Sequence, residues 1–309
     1  MKISIVIPVF NEIESLPVLK EELIHNLEPY EEWEVVFIDD GSSDGSTEWL
    51  GKLCSEKNRF KMIQFYRNYG KSAALSEGFK IANGDYIVTM DADLQDDPAE
   101  IKNLINKLKE GWDLVSGWKK TRLDPLNKRI PSKIFNMVTR FMTGVKIHDF
   151  NCGLKGYKKS VVKSIDIYGG RHRYIPAMAG QRKFQVTEII VNHRSRKFGE
   201  TKYGGSRIFH GFFDLITILF LNRFTQQPLH LFGSFGIGFF ITGFAIESVV
   251  LYYKYSLNQP FSKHMALLTL GVMFIVIGIQ FFSIGLLGEL IAKSTQGHEN
   301  RIKNFHEND

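Results

Sequence analysis

The sequence predicts an α/β protein built on a mostly parallel sheet, followed by amphipathic interfacial helices and two transmembrane helices. Three observations predict it. Strand-like apolar runs alternate with amphipathic helical stretches through the first half of the 309 residues, acidic pairs recur where those runs end, and residues 229–292 are mostly apolar.

Residues 3–9 form the first apolar run, and 11–27 carry helical spacing through Leu16, Leu19, Leu23 and Leu27. Strands follow at 34–38, 61–66, 85–90 and 113–117, separated by helices at 47–56, 71–82 and 99–109. Such alternation implies crossover helices on both faces of the sheet, and in open α/β sheets ligands sit beyond the carboxyl ends of the strands.

The acidic stretch Met90-Asp91-Ala92-Asp93-Leu94-Gln95-Asp96-Asp97-Pro98 stands at such an end. Residues two apart in a strand point the same way, so Asp91 and Asp93 are expected on one side of the strand end. Two hard oxygen ligands suit a divalent cation that keeps water and phosphate oxygens in its other positions, with Gln95 a further candidate ligand. Asp97, Pro98 and Glu100 have a structural reading: N-cap, first helical residue and capping box. Asp39 and Asp40 end the second strand in Asp39-Asp40-Gly41-Ser42-Ser43-Asp44-Gly45-Ser46. Asp44 and Ser46 suit helix capping, Asp39 suits ribose or base hydroxyls, and Asp40 is the less defined of the pair. All four carboxylates are expected to share one crevice.

The net charge is +6 and the isoelectric point about 9.1, with a mean hydropathy of −0.12 that averages a globular part and an apolar part. The chain opens directly on a strand pattern, so no secretory signal is expected. Two cysteines, Cys54 and Cys152, fit a reducing compartment rather than a disulfide framework.

Lys119, Lys120, Arg122, Lys128, Arg129, Lys133 and Arg140 form a basic stretch leading into a helix at 131–142; Arg194, Arg196, Lys197, Lys202 and Arg207 form a second. A solvated face or a patch drawn to anionic lipid accounts for either, and nucleic acid is not expected beside membrane segments. Glycines in the second stretch suit a loop close to a ligand.

The domain expectation is a catalytic domain at 1–205, juxtamembrane amphipathic helices at 206–228, a transmembrane hairpin at 229–292 and a tail at 293–309. Residues 229–253 would extend roughly 37 Å as helix, enough to span a bilayer, and 265–287 make a second span. Most Lys and Arg precede the hairpin, which places the catalytic domain and both termini in the cytoplasm. Gly233, Gly236, Gly238 and Gly243, with Ser234, suit close helix approach. Glu247 within the first span either faces a partner helix or lies at the outer interface, the second being preferred.

Four motifs in order resemble family 2 glycosyltransferases with a GT-A fold: Val6-Ile7-Pro8-Val9-Phe10-Asn11-Glu12, Asp39-Asp40-Gly41-Ser42-Ser43-Asp44, Asp91-Ala92-Asp93-Leu94-Gln95-Asp96-Asp97-Pro98, and Arg196-x-x-Gly199-x-Thr201-Lys202-Tyr203. Within that family the whole chain resembles polyisoprenyl-phosphate glycosyltransferases, the dolichol-phosphate mannose synthases and undecaprenyl-phosphate glucosyltransferases of the GtrB type. The resemblance implies that Pro8, Glu12 and Asp39 line a nucleotide site. It implies that Asp91, Asp93 and Gln95 hold Mg2+ or Mn2+ and the diphosphate, and that Arg122, Arg129 and Ser132 bind the lipid phosphate. Lys202 would close over the diphosphate, with Asp40, Lys71, Arg196 and Tyr203 also in the substrate-binding set. Asn151-Cys152-Gly153 falls where family members shape the sugar pocket.

The expected activity is inverting transfer of a hexose, UDP-glucose being the favoured donor, to a polyisoprenyl phosphate such as undecaprenyl phosphate at the cytoplasmic membrane face. The expected partners are nucleotide sugar, lipid phosphate, membrane and further copies of the chain, a tetramer being favoured. A GDP-mannose-dependent dolichol-phosphate mannose synthase is an alternative. A processive polysaccharide synthase is another, although Gln-x-x-Arg-Trp is missing. A sugar-nucleotide binder without catalysis is the third.

Overall fold

A computed structural model describes residues 1–120, 132, 136–141, 143–165, 167, 171–194 and 227–295, the last four by backbone alone. It divides into two compact units, Met1–Ile216 and Thr217–Asp309.

Seven strands in the first unit form one sheet in the order β3-β2-β1-β4-β6-β5-β7. They are β1 (Lys2–Val9), β2 (Glu32–Asp39), β3 (Phe60–Gln64), β4 (Tyr86–Thr89), β5 (Leu114–Trp118), β6 (Lys155–Lys158) and β7 (Val186–Ile190). The β1–β2, β1–β4, β2–β3 and β5–β7 pairs are parallel, whereas β6 runs antiparallel to both β4 and β5. The five strands expected from the sequence are all present. β6 and β7 were not foreseen: β6 is Lys-Gly-Tyr-Lys, four residues whose polar letters hide that the first three are buried.

Alternation along the strands divides the core in two. Ile3, Ile5, Ile7, Val35 and Phe37 meet α1 (Leu16–Leu27), α2 (Ser46–Glu56) and α4 (Ile101–Lys109) on one face. Val6, Val36, Ile38 and Ile87 meet α3 (Lys71–Ile81), α5 (Lys159–Ser164) and α6 (Ile175–Gln181) on the other. Burial of both faces is what makes the central strands continuous apolar runs.

Helix α1 starts at Leu16, not at residue 11, because Asn11 sits at φ +53° and Pro17 suits the first turn. At the amino ends of the strands, Glu34 is buried and held by Ser4 Oγ at 2.6 Å, Lys61 Nζ at 2.7 Å and the Asn83 N–H at 2.9 Å. This carboxylate ties the sheet together on the edge away from the strands' carboxyl ends.

The second unit contains α7 (Pro228–Tyr255) and α8 (Met265–Thr295), both long and apolar enough to cross a membrane. Only 17% of each apolar window is buried, which is unlike a hairpin of soluble-core helices. The two helices pack through glycines: a Cβ on Gly236 would lie 2.8 Å from the Gly278 carbonyl, and one on Gly243 would lie 2.7 Å from that of Gly271. Gly238, in contrast, meets nothing within 4 Å. Of the two positions expected for Glu247, the contact with a partner helix is present: its carboxyl lies against Gly271 of α8, with Oε1 buried. Of the amphipathic helices expected at 206–228, residues 206–226 lie outside the described residues, as does the tail beyond 295.

Candidate active site

The carboxyl ends of β1, β2 and β4 lie side by side, because β1 pairs with both neighbours. The loop after β1 is laced to the loop after β2. The Asn11 N–H donates to Ser42 Oγ at 2.9 Å, the Ser43 N–H to Asn11 Oδ1 at 2.8 Å, and the Glu12 N–H to Ser46 Oγ at 3.1 Å. Asp44 accepts from the N–H groups of Ile13 and Ser46, each at 3.0 Å. Pro8 and Glu12 thereby stand at the rim of the same edge as Asp39.

Asp39 and Asp40 are both buried, and point to different partners. Asp39 accepts the Ser42 N–H at 3.0 Å and the Thr47 hydroxyl. Asp40 accepts the N–H groups of Tyr69 at 2.7 Å and Gly70 at 2.9 Å, so it fixes the turn that leads into α3. Burial raises its carboxyl above the usual range despite those two bonds.

The next residue, Lys71, turns its ammonium onto Asp91. Asp40 and Asp91 are therefore linked through the Gly70-Lys71 step. Burial alone would raise the Asp91 carboxyl, but Lys71 and then Lys119 outweigh it and hold the carboxyl at about 2. Behind Asp91 is Gly153, where a Cβ would lie 2.6 Å from Oδ2. No side chain but hydrogen fits between that backbone and the carboxylate.

The strand-alternation argument for Asp91 and Asp93 is corrected. β4 ends at Thr89, and Ala92 and Asp93 lie in a turn that closes with Leu94 at φ +61°. Asp93, which is buried, accepts the Gln95 N–H at 3.1 Å, while Asp91 donates its own N–H to Asp96 at 3.2 Å. The turn, not a strand face, sets the relation of the two carboxylates. The capping box is corrected as well. Asp97 does cap, accepting the Ala99 N–H at 3.0 Å, but Glu100 bonds Asn103 Nδ2 at 2.7 Å and the Asn192 N–H at 3.1 Å.

Several residues gathered here carried no signal in the sequence. Lys119, read as part of a basic face, is half-buried and pairs with Asp96 at 2.8 Å. His172 accepts or donates at Nδ1 with Ser72 Oγ at 2.9 Å; burial holds its imidazole well below 6.5, with Lys71 and Arg173 adding to the effect. Lys155 is buried on β6 and donates to the Cys152 carbonyl, its ammonium pushed down by burial. These groups come from α3, the end of β5, β6 and the segment before α6, which only the tertiary fold brings together. Ser132 is half-buried on a helical residue. Arg122, Arg129, Arg196, Lys202 and Tyr203 lie outside the described residues.

Among the described residues there is no group of three or more His, Cys, Asp and Glu side chains able to hold a metal. Two carboxylates, one of them held ionised, fit a hard divalent cation only if substrate oxygens and water complete its shell. The donor set thus suits a cation that arrives with a phosphorylated substrate rather than a permanently caged one.

Residues 4–166 match the family described as Glycosyl transferase family 2. The chain is 34% identical over 300 residues to a dodecaprenyl-phosphate galacturonate synthase from Rhizobium johnstonii, covering 95% of this chain and 88% of the relative. It is 36% identical over 294 residues to an undecaprenyl-phosphate 4-deoxy-4-formamido-L-arabinose transferase from Salmonella choleraesuis, covering 94% and 88%. The fold is similar to that of glucosyl-3-phosphoglycerate synthase from Mycobacterium tuberculosis, solved with Mn2+, UDP and phosphoglyceric acid. That match has a TM-score of 0.55 at 15% identity and covers 72% of this chain and 78% of the other. Fold, edge geometry and whole-length relatives agree: the chain is a member of glycosyl transferase family 2, with a GT-A-like sheet.

Proposed function

We propose that the protein transfers a sugar from a nucleotide donor to a polyprenyl phosphate at the cytoplasmic membrane face. The observation that carries the proposal is Asp91, paired with Lys71 and backed by Gly153 at the carboxyl edge of the parallel strands. The names of the relatives support a polyprenyl-phosphate acceptor. Those names carry galacturonate and formamido-arabinose, so the donor sugar is the open variable, and UDP-glucose is the first candidate in a panel that includes both.

A lipid monophosphate has a second pKa near roughly 6 and is largely a dianion at cytosolic pH. It needs little help from a base, and needs instead to be held in line with the anomeric carbon. Pro8, Glu12 and Asp39 line the nucleotide. Asp91, Asp93 and Gln95 orient the diphosphate. Lys71, Arg196, Lys202 and Tyr203 supply positive charge and closure around it, and Asp40 fixes the turn that presents Lys71. Arg122, Arg129 and Ser132 hold the lipid phosphate. Mg2+ or Mn2+, when bound, would stabilise the charge on the departing diphosphate. Attack of the phosphate oxygen on C1 breaks the bond to the diphosphate and inverts the centre, giving a β-linked product from an α-linked donor.

α7 and α8 would anchor the unit, with both termini on the cytoplasmic side. An oligomer, a tetramer first, remains our reading of the assembly. Gly238 is the glycine left for it, since Gly236 and Gly243 face α8 within the chain. Light scattering of the purified protein measures the assembly directly.

The activity test supplies purified protein with undecaprenyl phosphate and each labelled nucleotide sugar. A small, organic-extractable sugar lipid is expected, lost in chelator and in Asp93→Ala. A polymer, bound but unreacted donor, or full turnover in chelator would overturn the proposal.

A further inference from the structure

Lys71 and Asp91 form an ion pair, yet the two side chains differ in freedom. The Asp91 carboxylate backs onto Gly153, and its backbone N–H is tied to Asp96. It has nowhere to retreat. Lys71 is fixed through its neighbours alone: the Gly70 N–H donates to Asp40, and Ser72 Oγ meets His172. Between those ties, a flexible four-carbon stem carries the ammonium. The side chains of Lys71 and Asp91 are 24% and 36% exposed, so the pair opens toward solvent. Lys119, the other lysine acting on Asp91, is less exposed, at 13%, and is committed to the buried Asp96. A lysine is a mobile point charge, well suited to leave one anion for another.

An ammonium and a divalent cation compete for the same carboxylate oxygen, and their charges repel. We propose that Lys71 is an exchangeable counter-ion, which neutralises Asp91 in the absence of a cation and crosses to the donor's diphosphate when a divalent cation takes Asp91. This inference rests on the cation- and diphosphate-binding reading above and adds a coupling to it. A cation alone must displace Lys71 without giving it a new partner. A diphosphate supplies that partner, so cation and nucleotide raise each other's affinity by the same factor.

The test measures Mn2+ binding alone, and UDP binding with and without Mn2+, by calorimetry on the full-length chain. Wild type is compared with Lys71→Met, Lys71→Gln and Asp91→Asn, each checked for an unchanged melting temperature. Both Lys71 variants should bind Mn2+ alone roughly tenfold tighter, bind UDP in the presence of Mn2+ roughly tenfold more weakly, and lose most of the coupling. Unchanged or weaker Mn2+ binding in a folded Lys71 variant overturns the exchange. Loss of Mn2+ binding in Asp91→Asn leaves the cation-site reading standing in that event. Wild-type Mn2+ affinity in Asp91→Asn overturns the reading and the exchange together.

Discussion

Lys119 Nζ lies 2.8 Å from Asp96, with 13% of the lysine side chain and none of the aspartate exposed. Asp96 also accepts the Asp91 N–H, so this pair sits directly behind the acidic turn. Removing one member leaves the other charged and stranded. Lys119→Met is expected to cost about 3 kcal/mol of stability, and Lys119→Met with Asp96→Asn to recover a large part of it. Unfolding curves for the two singles and the double check this; strict additivity would contradict it.

Gly153 is the backing for Asp91. A methyl group there would come within 2.6 Å of Oδ2 and push the carboxylate forward. Gly153→Ala should keep the fold but lower kcat on the order of a hundredfold, the scale on which small misplacements act in preorganised sites. Steady-state kinetics beside a melting curve separate this from simple destabilisation.

Glu34 governs an acid limb of stability. Burial raises its carboxyl, but Lys61, Ser4 and the Asn83 N–H outweigh burial and bring it to about 2, from 4.5. A depressed carboxylate stabilises the fold above its unfolded value and loses that contribution as pH falls through the folded one. The window is therefore between 4.5 and about 2. Glu34→Gln should remove about 3 kcal/mol at neutral pH and flatten the decline across that window. Stability measured as a function of pH reads both effects.

Gly236 and Gly278 let α7 and α8 touch backbone to backbone. Gly236→Leu should drive the helices apart and cost about 1–3 kcal/mol in the overpacking range. Gly238→Leu, at a position with no neighbour within 4 Å, should cost far less in a monomer. Thermal melts in detergent that keeps the protein monomeric compare the two, and equal losses there would contradict the observed seam.

The sequence made the left half of the sheet legible because buried parallel strands are unbroken apolar runs. Ile3 to Val9 and Val35 to Ile38 could hardly be read otherwise. Beyond β4 only β5 was legible, and β6 was hidden by composition: Lys155 and Lys158 bracket it, and Lys155 is buried against every expectation for its type. The acidic motif stands out in the sequence by its residue types but not by its geometry, since no local pattern announces that Leu94 adopts a positive φ. His172 was invisible for another reason. It reaches Ser72 across 100 residues of chain, and only the fold makes them neighbours.

The antiparallel β6 also imposes an order of events on synthesis. β1 to β4 can pair as soon as residue 89 has emerged, whereas β5 has no partner until β6 and β7 follow. Until residue 158 is made, β4 presents an open apolar edge to other nascent chains. Ribosome stalling or truncation between those two points should therefore yield aggregates rather than a half-sized folded fragment.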